Sequence, residues 1–267
     1  MEKRRSTWPD STKTVSGKTG AVQIFLSTHS PFFVGPDVIP SVFKFQNNNA
    51  DGIKIHRATD SSLVLEVKKR DNRSFFLRHR NLFFTDFALF VEGIGDYERY
   101  TAFCEINGHL DLPQRLFMMN GKDSVFFFEK LCKAHGIKFA AIVDRDFAFE
   151  RSYWRNKGRK ETIERLKQYC REMGIGLDAD KLDKALLAET AERPMGGKRE
   201  VEDLYFNGVA LSRVKGHPIF VLKEGEVEDY LDKTGAVVPD NQVKKQMELV
   251  GIFDYVKMYL EQTSASL

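Results

Sequence analysis

The sequence predicts an α/β fold: a parallel sheet flanked by helices, with a helical insertion before the last strand. Three observations lead there. From Phe87 onward, short apolar runs alternate with helix-length segments, as right-handed βαβ crossovers require. Those runs are bounded by polar residues or Gly, so they read as strands buried on both faces. Three of them also run into acids. Ala88-Leu89-Phe90-Val91 leads to Glu92, Ala140-Ala141-Ile142-Val143 to Asp144 and Asp146, and Phe220-Val221-Leu222 to Glu226 and Glu228.

The elements follow in chain order. Residues 1–20 are polar, contain Pro9, Gly17 and Gly20, and show no periodicity; they are expected to be disordered or the broken edge of something larger. Residues 22–26 form a predicted strand that ends in Ser27-Thr28-His29-Ser30-Pro31. Residues 41–45 and 53–56 flank a polar turn and predict a hairpin. The mixed, charged segment 57–85 reads as a connection. A strand then ends at Glu92, and a helix is expected to begin at Asp96 as N-cap, with Tyr97, Tyr100 and Phe103 on one face. Residues 115–119 predict the next strand, followed by a loop and a helix to about residue 135; residues 139–143 predict a third. The insertion covers about 147–215, with charged helices at 160–173 and 178–192. Residues 219–222 predict the last strand, and a helical tail has pieces at 242–249 and 253–260. The expected division is 1–80 and 81–267, with no internal repeat.

A chain of 267 residues can bury a full core, and 42% hydrophobic with 30% charged residues is the balance of a soluble globular protein. The 22 phenylalanines gather in runs such as 74–77 and 125–128, which assigns them to core packing. A net charge of +3 tolerates a nucleic-acid partner but is too small for a DNA-coating protein. Cys104, Cys132 and Cys170 are odd in number and widely spaced, so neither a disulfide framework nor a thiolate zinc site is expected. No apolar segment reaches the roughly 18 residues of a membrane span. The basic start, Met1-Glu2-Lys3-Arg4-Arg5, lacks the apolar stretch of a secretory signal, so the expected location is the cytoplasm and no membrane partner is expected.

The acids carry the chemistry. Ligands of open α/β sheets bind beyond the carboxyl ends of the strands. If the acid-ended strands are neighbours, Glu92, Asp144, Asp146, Glu226 and Glu228 converge on one edge. Like charges raise one another's pKa, so such a set calls for a cation, and hard oxygen donors suit Mg²⁺ or Mn²⁺. Strand alternation would send Asp144 and Asp146 the same way. Asp96, after Gly93 and Gly95, serves either as a helix cap or as a further ligand. Lys122 either touches a phosphate or is a solvated loop lysine. Arg151, Arg155, Lys157, Arg159 and Lys160, interleaved with Tyr153 and Trp154, suit phosphate contact plus base stacking in DNA, or form a solvated basic face.

Val91-Glu92-Gly93 and Asp144-x-Asp146, in that order, resemble the Toprim domain over roughly residues 86–232. That resemblance implies divalent cations held by the glutamate and aspartates and acting on phosphodiester bonds. Gln23-Ile24-Phe25-Leu26-Ser27-Thr28-His29-Ser30-Pro31 resembles the last core strand and switch histidine of an ABC-type ATPase. His29 would then be an ATPase remnant. An ABC ATPase end followed by a Toprim domain resembles the C-terminal part of the OLD (overcoming lysogenization defect) family of ATPase–nuclease fusions, and Gly225-Glu226-Val227-Glu228 resembles that family's later acidic motif. The fold class implied is thus a Toprim-type parallel sheet with a small N-terminal remnant of an ABC-ATPase domain.

The resemblance implies a metal-dependent DNA endonuclease in phage defence or DNA processing. Its catalytic set would be Glu92, Asp144, Asp146, Glu226 and Glu228, aided by a lysine among Lys233, Lys244 and Lys245. One departure is clear. A P-loop needs Gly-x-x-x-x-Gly-Lys-Ser/Thr after a strand, and before Gly17-Lys18-Thr19 the first glycine is replaced by Thr12. ATP is therefore expected only from an ATPase domain supplied elsewhere, by a partner chain or in a homo-oligomer. The chain reads as a C-terminal fragment or a truncated or split homologue. The rival reading is a non-catalytic DNA- or partner-binding module; primase or topoisomerase chemistry is a weaker one, because it needs further domains.

Overall fold

Val, Ile, Leu, Phe and Ala fill the strand positions, so neither face of the sheet can be left to water. A computed structural model describes residues 24–48, 52–67, 70–119, 121, 124–145, 147, 167–168, 170–172, 174, 214–223, 225–240 and 242–264. A hairpin comes first, β1 (Lys44–Asn48) against β2 (Gly52–His56), then the helices α1 (Ser61–Val67) and α2 (Arg70–Arg78). The βαβ part follows as β3 (Phe87–Val91), α3 (Ile94–Ile106), β4 (Leu116–Met118), α4 (Val125–Ala134) and β5 (Lys138–Val143). β6 (Ile219–Val221), the short α5 (Val227–Tyr230) and the long α6 (Gln242–Ser264) complete it.

The four later strands form one parallel sheet in the order β4-β3-β5-β6. Strand alternation divides its core in two. Phe87, Leu89, Val91, Ala140 and Ile142 face α3, α5 and α6, meeting Tyr100, Phe103, Tyr230, Leu249 and Phe253. Ala88, Phe90, Phe117, Phe139, Ala141 and Val143 face α1, α2 and α4, meeting Leu63, Phe75, Phe76, Phe128 and Leu131. Successive crossover helices thus lie on opposite faces, the doubly wound arrangement. Phe90 sits at the middle of the second layer, its ring centroid 4.9 Å from Phe128, 5.3 Å from Phe139 and 5.6 Å from Phe117. The phenylalanine runs do pack the core.

Several expectations need correction. Residues 24–26 are not a strand: Ile24, Phe25 and Leu26 are exposed, and no described strand pairs with them. The first hairpin strand starts at Lys44, after a 3₁₀ turn at Ile39–Ser41 that Pro40 favours. The segment 57–85 is no mere connection; Leu63, Val67, Phe75 and Phe76 from its two helices lie in the same core as the sheet. The tail is one helix rather than two pieces, because Leu249, Ile252, Phe253 and Val256 keep one apolar stripe across Gly251. Of the insertion helices, only parts of 160–173 are described, with helical residues at 167–168 and 170–172; 178–192 lies outside the described residues.

His79, just after α2, stacks on Phe75 at 4.7 Å and meets Phe117 edge-on at 5.6 Å. Burial, with the charge of Arg78 added, lowers its pKa from 6.5 to about 4. A base whose pKa is depressed by folding contributes fully above its unfolded value and loses that contribution as pH falls. Unfolding free energy is therefore expected to fall by about 2 kcal/mol between pH 6.5 and 4. In His79→Phe, which keeps the ring contacts, that part of the slope should vanish in denaturation curves taken across this range. An unchanged slope would mean that His79 is not the group responsible.

Candidate functional site at the carboxyl edge of the sheet

In the order β4-β3-β5-β6, the chain leaves β3 toward one side and leaves β5 toward the other. The crevice of a doubly wound sheet lies between two such strands, beyond their carboxyl ends. Glu92 follows β3 and Asp144 follows β5, so the topology puts both at that crevice.

Hydrogen bonds tie the strand ends together. The Asp144 amide donates to Glu92 Oε1 at 3.0 Å, and Asp144 Oδ1 accepts from the Val227 amide at 3.1 Å. The Arg145 amide donates to the Gly225 carbonyl at 2.9 Å, and its guanidinium donates to the Lys223 carbonyl. Three loops, separated by 52 and 83 positions in the chain, thus meet through two carboxylates. Gly225 is required in its place: its φ is +150°, and a Cβ there would lie 2.0 Å from Asp229 Oδ2, the atom that accepts the Glu226 amide.

Asp96 does not begin its helix. Gly93 is the N-cap, and Asp96, third in α3, accepts the Gly93 amide at 3.0 Å. Burial pushes the Asp96 carboxyl above its ordinary value; the Glu228 charge adds to this and the Gly93 hydrogen bond opposes it. Glu228 pairs with Arg99 at 3.0 Å, and Arg99 also donates to the Leu231 carbonyl at 3.2 Å, which fastens α5 to α3. Glu226 and Glu228 are exposed, whereas Glu92, Asp96 and Asp144 are half-buried.

Glu92, Asp96, Asp144 and Glu228 therefore share one edge, linked through Val227 and its neighbours. Backbone amides donate to Glu92, Asp96 and Asp144, and Arg99 pairs with Glu228. Among the described residues, no three His, Cys, Asp or Glu side chains stand close enough to hold an ion as placed. Asp144 lies past the end of β5, which stops at Val143, and the Phe147 amide donates to the Asp144 carbonyl at 3.1 Å. Asp146, Lys122, Arg151, Arg155, Lys157, Arg159 and Lys160 lie outside the described residues. His29 is exposed.

The donors fit a hard divalent cation in kind, all being carboxylate oxygens, one of them held above its usual pKa. Three residues of this edge were not singled out from the sequence for the site. Arg99 has a helical-spacing signal, one turn after Asp96 on α3. Tyr230 and Glu248 have none: the Tyr230 hydroxyl donates to Glu248 Oε2 at 2.9 Å and accepts the Lys223 amide at 3.0 Å. Those bonds place the start of α6 at the same edge. Of the lysines left open, Lys233 and Lys244 are exposed, while Lys245 is buried at the head of the α6 stripe, one turn before Leu249.

The fold and this edge define a doubly wound α/β protein with carboxylates joined at the carboxyl ends of β3 and β5, and among the described residues no helix is long and apolar enough to cross a membrane. In comparisons with known proteins, the sequence matches no family model and no curated protein.

Proposed function

We propose that the chain is a Toprim-type, divalent-metal-dependent DNA endonuclease related to the OLD family. The observation that carries this reading is the joining of Glu92 to Asp144, and of Asp144 to the Glu226–Glu228 loop, at the switch point of a parallel sheet. Glu92, Asp144 and Asp146, with Asp96, Glu226 and Glu228 around them, would hold Mg²⁺ or Mn²⁺. When bound, such ions supply an activated water and stabilise the leaving oxygen of a phosphodiester. A lysine among Lys233, Lys244 and Lys245 would offset phosphate charge. The basic run from Arg151 to Lys160 would hold the DNA strand. ATP, where it takes part, would come from an ATPase domain elsewhere.

The test is cleavage of supercoiled plasmid with Mg²⁺ or Mn²⁺, comparing the unaltered chain with Asp144→Ala/Asp146→Ala. Metal-dependent nicking that disappears in the double variant is expected. One observation favours the second reading, a module that binds DNA or a partner without cutting: amides and Arg99 already occupy part of the carboxylate set. Equal DNA binding by both proteins with no cleavage would select that reading.

A further inference from the structure

The phenol of Tyr100, a residue of α3, has no hydrogen-bond partner among the described residues, although the residue is only 1% exposed. Its direction follows from helix geometry. Side chains of a helix lean toward its N-terminus, and Tyr100 stands one turn after Asp96 on the same face of α3. The hydroxyl is thus carried toward the Gly93 end of α3, where Glu92 and Asp96 sit. Asp96 and Asp144 are the first of the charges that act on it, followed by Tyr230 and Glu248. Tyr230 is no partner, since its own hydroxyl is already engaged with Glu248 and the Lys223 amide.

Buried hydroxyls are almost always satisfied by protein or by ordered water. The charges that act on Tyr100 belong to acceptors, and a water molecule can accept from the phenol and donate to a carboxylate. We propose that the Tyr100 hydroxyl donates a hydrogen bond to a water molecule in the hydration shell of the cation held by Asp96 and Asp144, and so positions that shell. This rests on the metal-binding reading above. Tyr100 is a positioning residue: it would act through the water and would not touch the ion.

The experiment is Mn²⁺ titration of the full chain by calorimetry, for the unaltered protein, Tyr100→Phe and Asp144→Asn. Water-proton relaxation of the Mn²⁺-bound forms is measured alongside. Phe keeps the ring packing against Phe253 and loses only the donor. Tyr100→Phe is expected to bind Mn²⁺ roughly three- to tenfold more weakly, the effect of one hydrogen bond. It should also alter the relaxation per bound ion, and its metal-free unfolding midpoint should not drop. Equal affinity in the two proteins overturns the role of Tyr100 and leaves the metal site standing. Weaker binding with unchanged relaxation also overturns it, because that marks a purely structural effect. Absence of Mn²⁺ binding in the unaltered protein removes the metal-binding reading itself, and this inference with it.

Discussion

Asp144→Asn is expected to lower Mg²⁺-dependent nicking of plasmid DNA at least about a hundredfold while leaving the fold intact. The two atoms of this residue that hold the edge together explain why. Its amide donates to Glu92, and that bond survives any side-chain change. Its Oδ1 accepts the Val227 amide, and the Asn carbonyl can do the same. The substitution removes the charge, which a hard cation requires of its ligand. Asp144→Ala differs, because it leaves the Val227 N–H without its acceptor and should cost a further 1–3 kcal/mol or so of stability. Comparing the Asn and Ala variants by plasmid nicking and by urea unfolding separates the two roles. Nicking by Asp144→Asn at the rate of the unaltered chain would reduce Asp144 to a structural clasp.

Phe90→Ala is expected to destabilise the protein by about 3–5 kcal/mol, the cost of a large cavity at a site that cannot collapse. Phe90 is fully buried in β3, with Phe75 on the helical layer and Phe117, Phe128 and Phe139 around its ring. Two of these neighbours lie on the adjacent strands β4 and β5, whose hydrogen bonds resist closing the void. Phe90→Leu, which preserves more volume, should cost less. With a typical total near 5–15 kcal/mol, the Ala variant would lose a large part of its stability. Denaturant titration reads this directly, and a cost below about 1 kcal/mol would show that this phenylalanine group is not the centre of the core.

The strands β3, β5 and β6 were legible because each is a short apolar run with polar ends, a pattern that buries equally on both faces. The same reasoning put Glu92 and Asp144 just beyond strand ends, where they are found, whereas Glu226 caps the helix after β6 and Glu228 lies within it. The helices α1 and α2 were not legible. They are short and carry many charged and polar residues, and their burial comes from a few positions such as Leu63, Val67, Phe75 and Phe76. Residues 24–26 show the opposite error: a run rich in strand-forming residues, exposed for want of a described neighbour to pair with. The tail, expected as pieces at 242–249 and 253–260, is one helix because the apolar stripe of α6 runs on between them.

Composition and local pattern determined the α/β class, the identity of the strands and the acids at their ends. Those properties depend on residues close together in the chain. Tertiary structure alone decided that β3 and β5 are neighbours, that the Asp144 amide reaches Glu92 across 52 positions, and that Arg99 pairs with Glu228 at the same edge. Strand order follows from which helices cover which face, and no local pattern encodes that choice.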